Sequence, residues 1–311
     1  MMSTMADVTL CECFARDGLQ HEPAFVPTAT KRALVERFAA LGFPRIEATS
    51  YSNPKVVPQF ADASELLKSI HTRSGVSYKA TCANLRAVER ALADLDAGHG
   101  ASEISLLVSA TESHTRKNLN RSRAEQWENI KEMAAAAEGR FRLVGTVSVA
   151  FGCPFEGRVN PASVLADVDR FCELGVDHVA LGDTTGMATA PAVRELFSNV
   201  ESAVPIAHFH DTRGTGLANV AAALEVGVRR FDASLAGLGG CPFAPGASGN
   251  IVMDDLAFML DSMGLRTGID LERLLQVRNI LKTNLPGTEL HGAVARAGLP
   301  TKYVKADARA G

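Results

Sequence analysis

Two histidines one residue apart, His208 and His210, are the sharpest local signal in this chain. In a strand, residues i and i+2 face the same side, so both imidazoles project together and can chelate one cation. Histidines near a strand end also bond to nearby carbonyls, and the pair alone leaves both readings open. Asp17, in Arg16-Asp17-Gly18, offers either a hard anionic oxygen or one half of a salt-bridged turn. Asn250, closing Gly246-Ala247-Ser248-Gly249-Asn250, offers a carbonyl oxygen or the cap of a following helix. For a lone Asn before a helix, capping is the commoner role. Two nitrogen and two oxygen donors with open positions suit an octahedral ion, Mg2+ or Mn2+. A thiolate-rich zinc site is not supported.

The segment from Gly237 to Asn250 holds five glycines and two prolines, so it is either a mobile loop over a site or a phosphate cradle. Cys241 within it is a candidate for proton transfer, because a thiol near a cation ionises more easily. Cys82 and Cys172 lie in regular elements and read as packing, as do Cys11 and Cys13 on one face of the first strand. Cys153 is left open. Glu47 orients a ligand or Arg16, or is only a rim carboxylate. Asp183 opens Asp183-Thr184-Thr185-Gly186, which also reads as a helix cap.

These residues acquire a common position once the elements are laid out. Short β-branched runs at Val8–Cys13, Arg45–Ala48, Ser77–Thr81, Glu103–Val108, Arg142–Val149, His178–Leu181, Pro205–His208 and Arg230–Ser234 read as strands. Helical patterns alternate with them: Thr30–Leu41, Asn84–Leu95, Ala124–Ala137, Pro161–Glu173, Pro191–Val200 and Gly216–Glu225. Thr28 and Asn160-Pro161 supply helix-start chemistry. Eight strands with crossover helices predict a closed (β/α)8 TIM barrel, α/β in class, with extra C-terminal helices such as Asp270–Leu285. No G-x-G-x-x-G follows the first strand, which weakens a doubly wound open sheet. Every candidate then falls at a strand's C-terminal end or in the loop after it, where barrel enzymes build their sites.

The expected organisation is one domain over residues 1–298 and a polar tail, 299–311, that frays. Of 311 residues 46% are hydrophobic, enough for a sizeable core. The net charge of −3 and scattered Lys and Arg disfavour nucleic-acid binding. No apolar run reaches the roughly 18 residues of a membrane span, and no signal peptide precedes Val8. Six cysteines without a C-x-x-C pair fit a reducing cytoplasm rather than a disulfide framework.

Arg16-Asp17-Gly18-Leu19-Gln20, Ile46-Glu47-Ala48-Thr49-Ser50, Gly152-Cys153-Pro154-Phe155-Glu156-Gly157, Leu181-Gly182-Asp183-Thr184, His208-Phe209-His210-Asp211-Thr212 and the Gly237–Asn250 loop stand in a fixed order. In these motifs, from about Val8 to Leu285, the chain resembles the 3-hydroxy-3-methylglutaryl-CoA lyases, among the metal-dependent lyases and synthases with a D-R-E signature. The resemblance implies a barrel holding Mg2+ or Mn2+ through Asp17, His208, His210 and Asn250. It implies that Arg16 stabilises an enolate, that Cys241 takes part in proton transfer and that Glu47 and Asp183 support the site. His208 is a candidate base for the hydroxyl proton. The implied substrate is an acyl-CoA, the products acetyl-CoA and acetoacetate, and the assembly a homodimer. Gln20 is placed among the substrate-binding residues. Lys117 and Asn118, with Arg121, are candidate phosphate contacts for CoA or a solvated basic turn.

The departures from that pattern cluster at the mouth. Phe14-Ala15 stands where the family has Gly-Pro, Arg213 follows Thr212 in place of an aromatic, Thr215 replaces a larger amide residue and Pro245 replaces Gln. Arg213 either grips another carboxylate or faces solvent. In the first case the acyl group is shorter, as in citramalyl-CoA, and the second product is pyruvate or another 2-oxo acid. The related acetyl-CoA-dependent synthases append a regulatory domain for which this chain has no room. A silent barrel kept for binding should have lost the metal set, and here the set is present.

Overall fold

The computed structural model describes residues 6–240 and 249–306. Eight strands, β1 (Thr9–Glu12), β2 (Arg45–Ser50), β3 (Ser77–Cys82), β4 (Glu103–Ser109), β5 (Arg142–Ser148), β6 (His178–Asp183), β7 (Val204–Phe209) and β8 (Arg230–Ala233), close into a barrel in sequence order. Every neighbouring pair is parallel, including β1 with β8. This is the expected (β/α)8 TIM barrel. Its helices are α1 (Thr28–Ala40), α2 (Ala63–Ser69), α3 (Leu85–Asp96), α4 (Glu112–Leu119), α5 (Arg123–Ala137), α6 (Pro161–Glu173), α7 (Ala190–Ser198) and α8 (Gly216–Glu225). Beyond the barrel come α9 (Met253–Ser262), α10 (Leu271–Asn284) and α11 (Ala293–Ala297). Among the described residues no helix is long and apolar enough to cross a membrane.

Local chemistry explains most boundaries. Asn160 accepts from the Ala162 N–H with Pro161 in the first turn of α6. Ser122 and Glu125 form a reciprocal capping box on α5. The expected cap at Thr28 is not made. Pro27 precedes the helix, and the Thr28 hydroxyl instead donates to Asp62 Oδ2 at 2.7 Å. Of residues 299–306, Tyr303 bonds to Asp261 and lays its ring against Phe258, and the Ala306 N–H reaches Asp261 Oδ1.

Strand alternation separates two interiors. Ile46, Ala48, Tyr78, Ala80, Val179, Leu181, Ala207, Phe209, Phe231 and Ala233 face outward into the strand–helix core, joined by Phe38, Trp127 and Phe171 from the helices. The residues between them face the barrel axis. There Val144, Ala180 and Ile206 form a small apolar cluster of their own. The rest of that axis carries Arg45, Glu47, Lys79, Glu103 and Asp232, none more than 5% exposed. Branched aliphatic residues usually fill this space.

Candidate active site

β7 ends at Phe209, so His208 points inward from the end of the strand, and His210 follows on the same face. Their Nε2 atoms stand 3.2 Å apart. The chain after β8 returns to lie against this end: His210 pairs with Asn250, and the Ile251 N–H bonds to Phe209 O at 3.1 Å. Two strands along the barrel, a π-helical turn over Phe14–Gly18 follows β1, with the Asp17 and Gly18 N–H groups both donating to Cys13 O. That turn aims Asp17 at the imidazoles. Asp17 Oδ2 lies 3.7 Å from His208 Nε2 and 3.6 Å from His210 Nε2.

Asn250 is not a helix cap. Val252 precedes α9, and the Asn250 amide donates to Asp17 Oδ2 at 2.5 Å, Leu238 O at 3.1 Å and Gly239 O at 3.3 Å. Its Oδ1 is buried without a hydrogen-bond partner. Burial of this kind is unfavourable unless something accepts the lone pairs. Donors arranged about an octahedral ion at roughly 2.1 Å are separated by about 3 Å. Asp17, His208 and His210 offer one atom each near that spacing, so the residues fit a hard divalent cation.

Arg16 stands beside this set. Its Nε meets Glu47 Oε1 at 2.9 Å, and its Nη1 meets Asp17 Oδ1 at 2.7 Å and Gln20 Oε1 at 3.4 Å. Glu47 is fully buried, accepts from the Thr81 hydroxyl at 2.6 Å and orients Arg16; it is no rim carboxylate. Burial pushes the Asp17 carboxyl up, but Arg16 and the two imidazoles outweigh it and hold it well below the ordinary range. Burial likewise disfavours charge on His208, yet Asp17 and Asp232 raise it to about 9. His210 moves down, through burial and the charge of His208.

Asp183 ends β6 and accepts the Met187 and Ala188 N–H groups on Oδ1, capping the turn that follows rather than a helix. Its Oδ2 is buried and unpartnered, and burial raises its pKa to about 6. Arg213 is exposed, and its Nη1 donates to Thr185 O and Gly186 O of that turn, at 2.8 and 2.9 Å. Lys117 and Asn118 are exposed on α4, and Arg121 bonds to Gln126; none joins the cluster. Cys241 lies outside the described residues. Cys11 and Cys13 fill the barrel axis with their sulfurs 3.9 Å apart.

Two groups of the site are not found by the sequence reading. Asp232 Oδ2 lies 3.5 Å from His208 Nδ1, and Lys79 Nζ lies 3.4 Å from Glu47 Oε1 and 3.7 Å from Asp232 Oδ2. The available signal is a charge set between apolar neighbours inside a strand, in Tyr78-Lys79-Ala80 and Phe231-Asp232-Ala233. At a buried register position such a charge needs a partner inside the barrel.

Known proteins are similar to this chain in sequence and fold. The HMGL-like family model matches residues 7–281. The mitochondrial hydroxymethylglutaryl-CoA lyase of Rattus norvegicus is 41% identical over 279 residues, covering 88% of this chain and 84% of that protein. The cytoplasmic 3-hydroxy-3-methylglutaryl-CoA lyase of Danio rerio is 40% identical, with 88% and 82% covered. Among solved structures, an HMG-CoA lyase from Acinetobacter baumannii, in complex with coenzyme A and 3-methylmalate, is 39% identical. It superposes at a TM-score of 0.90 over 97% of this chain and 99% of its own. The hydroxymethylglutaryl-CoA lyase of Pseudomonas aeruginosa gives 36% identity and a TM-score of 0.88, covering 94% and 97%. By family model, sequence and fold together, this chain belongs to the HMGL-like family of hydroxymethylglutaryl-CoA lyases.

Proposed function

We propose that this chain cleaves 3-hydroxy-3-methylglutaryl-CoA, or a close thioester, into acetyl-CoA and acetoacetate. The supporting observation is the convergence of Asp17, His208 and His210, from the ends of β1 and β7, with the Arg16 guanidinium held beside them. Mg2+ or Mn2+, held there by these three side chains and Asn250, would supply Lewis acidity that lowers the pKa of the substrate's 3-hydroxyl. Arg16, fixed by Glu47 and Asp17, presents a preorganised cation to the enolate oxygen that develops as the C2–C3 bond breaks. Gln20 shares Arg16 Nη1 and so extends the same edge toward substrate.

We reassign one residue. His208 turns Nε2 to Asp17 and His210 and Nδ1 to Asp232, so both nitrogens are committed. We therefore give it the ligand role and not that of base for the hydroxyl proton. Cys241 remains the proposed acid that protonates the product carbon. It stands two residues after Gly239, whose carbonyl accepts from Asn250. Lys117 and Asn118 are proposed contacts for CoA phosphates. A homodimer and a cytoplasmic location complete the reading.

A second acyl group has a specific observation behind it. The Acinetobacter baumannii relative was solved with coenzyme A and 3-methylmalate, a hydroxy diacid one backbone carbon shorter than hydroxymethylglutarate. In this chain Arg213 uses Nη1 on the Thr185 turn, and among the described residues its Nη2 and Nε have no hydrogen bond to occupy them. Purified protein assayed with methylglutaryl, citramalyl and 3-methylmalyl thioesters, with and without Mn2+, separates the two. Acetoacetate as the dominant product supports the first reading. Release of a 2-oxo acid replaces it, and no metal-dependent cleavage of any thioester refutes both.

A further inference from the structure

Inside the barrel, six charged or ionisable side chains close a ring. Arg16 Nε meets Glu47 Oε1 at 2.9 Å, and Lys79 Nζ meets the same oxygen at 3.4 Å and Asp232 Oδ2 at 3.7 Å. Asp232 Oδ2 faces His208 Nδ1 at 3.5 Å, His208 Nε2 faces Asp17 Oδ2 at 3.7 Å, and Asp17 Oδ1 returns to Arg16 Nη1 at 2.7 Å. Among the described residues, only Lys79 joins the carboxylate that holds the guanidinium to the carboxylate that holds the imidazole. Lys79, Glu47 and Asp232 are at most 3% exposed, so no water competes strongly for these contacts.

We infer that Lys79 is a positioning residue, setting Arg16 and His208 relative to one another through Glu47 and Asp232. The alternative partner of Asp232 shows what it opposes. Arg45 Nη1 lies 3.6 Å from Asp232 Oδ1, deeper in the barrel, and Arg45 is itself held by Glu103 at 2.5 Å. Without Lys79, Glu47 and Asp232 face each other with no cation between them, and Arg45 alone draws Asp232 away from His208. The imidazole then loses the group that orients it, and its Nε2 no longer keeps its place beside Asp17 and His210. Groups that orient a ligand in this way are worth about 10- to 100-fold in metal affinity or rate.

This inference rests on the proposed metal site, and the test separates the two. Mn2+ is titrated into the metal-free full-length protein and the free ion is followed by electron paramagnetic resonance. The wild-type protein serves as the reference, and absence of any binding by it removes the metal reading and this inference with it. Lys79→Met is expected to weaken Mn2+ at least about 10-fold and to lower kcat about 10- to 100-fold, with KM within about threefold. Lys79→Met/Asp232→Asn removes one charge of each sign, which keeps the interior balanced if the single variant does not fold. The folded double variant should lose at least as much Mn2+ affinity as the single, since it removes both Lys79 contacts and the carboxylate that faces His208. Mn2+ affinity equal to wild type in either folded variant overturns the role of Lys79 and leaves the metal site standing.

Discussion

Asn250 donates Nδ2 to Asp17 Oδ2 at 2.5 Å across 233 residues of sequence, while its own Oδ1 stays buried and unpartnered. The bond ties the chain after β8 to the turn after β1, and so fixes the carboxylate between the two imidazoles. Replacing Asp17 by Asn removes the negative charge that His208 and His210 share. Asp17→Asn should leave the barrel folded and abolish metal-dependent turnover, a loss beyond the ~10–100-fold typical of groups one step removed from a metal. His210→Ala should do the same. Far-ultraviolet circular dichroism and Mn2+ titration check the two halves of this expectation. Full turnover by either variant in chelated buffer would contradict the site.

The close approach of these chains depends on Gly239. Its φ is +106°, and a Cβ placed there would stand 2.6 Å from Asn250 Nδ2 and 2.7 Å from Asp17 O. Gly239→Ala therefore adds a steric clash inside the cluster to a backbone penalty of roughly 1–2 kcal/mol. Gly75 is the natural control: its φ is +82°, and a Cβ there would meet nothing within 4 Å. Gly239→Ala should lose more stability than Gly75→Ala, which carries the backbone penalty alone, and only Gly239→Ala should lose Mn2+ affinity and kcat. Equal activity in the two would mean that Gly239 serves the turn alone.

How far the sequence reveals all this differs between fold and site. The strands are legible because outward residues such as Ile46, Val179 and Leu181 are apolar and the runs alternate with turns and amphipathic helices. Pro161–Glu173 and Gly216–Glu225 match their helices to the residue, because Asn160-Pro161 and the apolar faces mark the limits. Thr28 misleads, since a hydroxyl can bond sideways to Asp62 as readily as cap a helix. At the site, the H-x-H spacing makes the shared face of His208 and His210 readable, but not their role. The role of Asn250 is not readable either, because its partners at Asp17, Leu238 and Gly239 are set by chain return and not by local pattern. Lys79 and Asp232 escape local pattern for a related reason: only barrel closure brings β3 and β8 to the same ring.

Asp183 makes stability depend on pH in a definite direction. Burial raises its pKa from 3.8 to about 6. Between those values the folded state binds more protons than the unfolded one, so stability falls as pH rises through this window. Above about pH 6 the full cost of the buried charge is present. In Asp183→Asn, Oδ1 can still accept from Met187 and Ala188, and the titration is gone. The difference in unfolding free energy, variant minus wild type, should therefore increase by on the order of 2 kcal/mol from pH 4.5 to 7.5. Denaturant curves in chelated buffer measure it. A flat difference across that range would show that Asp183 does not titrate there.

A last prediction concerns the strand–helix layer that supports the site without touching it. Gly145 in β5 is packed so closely by α6 that a Cβ would lie 2.6–2.8 Å from three atoms of the Phe171 ring. That ring is fully buried and tilts against Trp127 of α5, with centroids 4.9 Å apart. Gly145→Ala must displace the ring or the strand, and overpacking of this kind destabilises by about 1–3 kcal/mol. Trp127 is the only tryptophan in the chain, so its fluorescence reports on this contact directly. The variant should unfold at lower denaturant with an altered native emission, while kcat at saturating Mn2+ stays near wild type. Phe171→Leu frees space beside the added methyl, so Gly145→Ala/Phe171→Leu should be more stable than the sum of the two losses. Strict additivity would mean that the methyl and the ring do not compete for the same space, and that the strand moves instead.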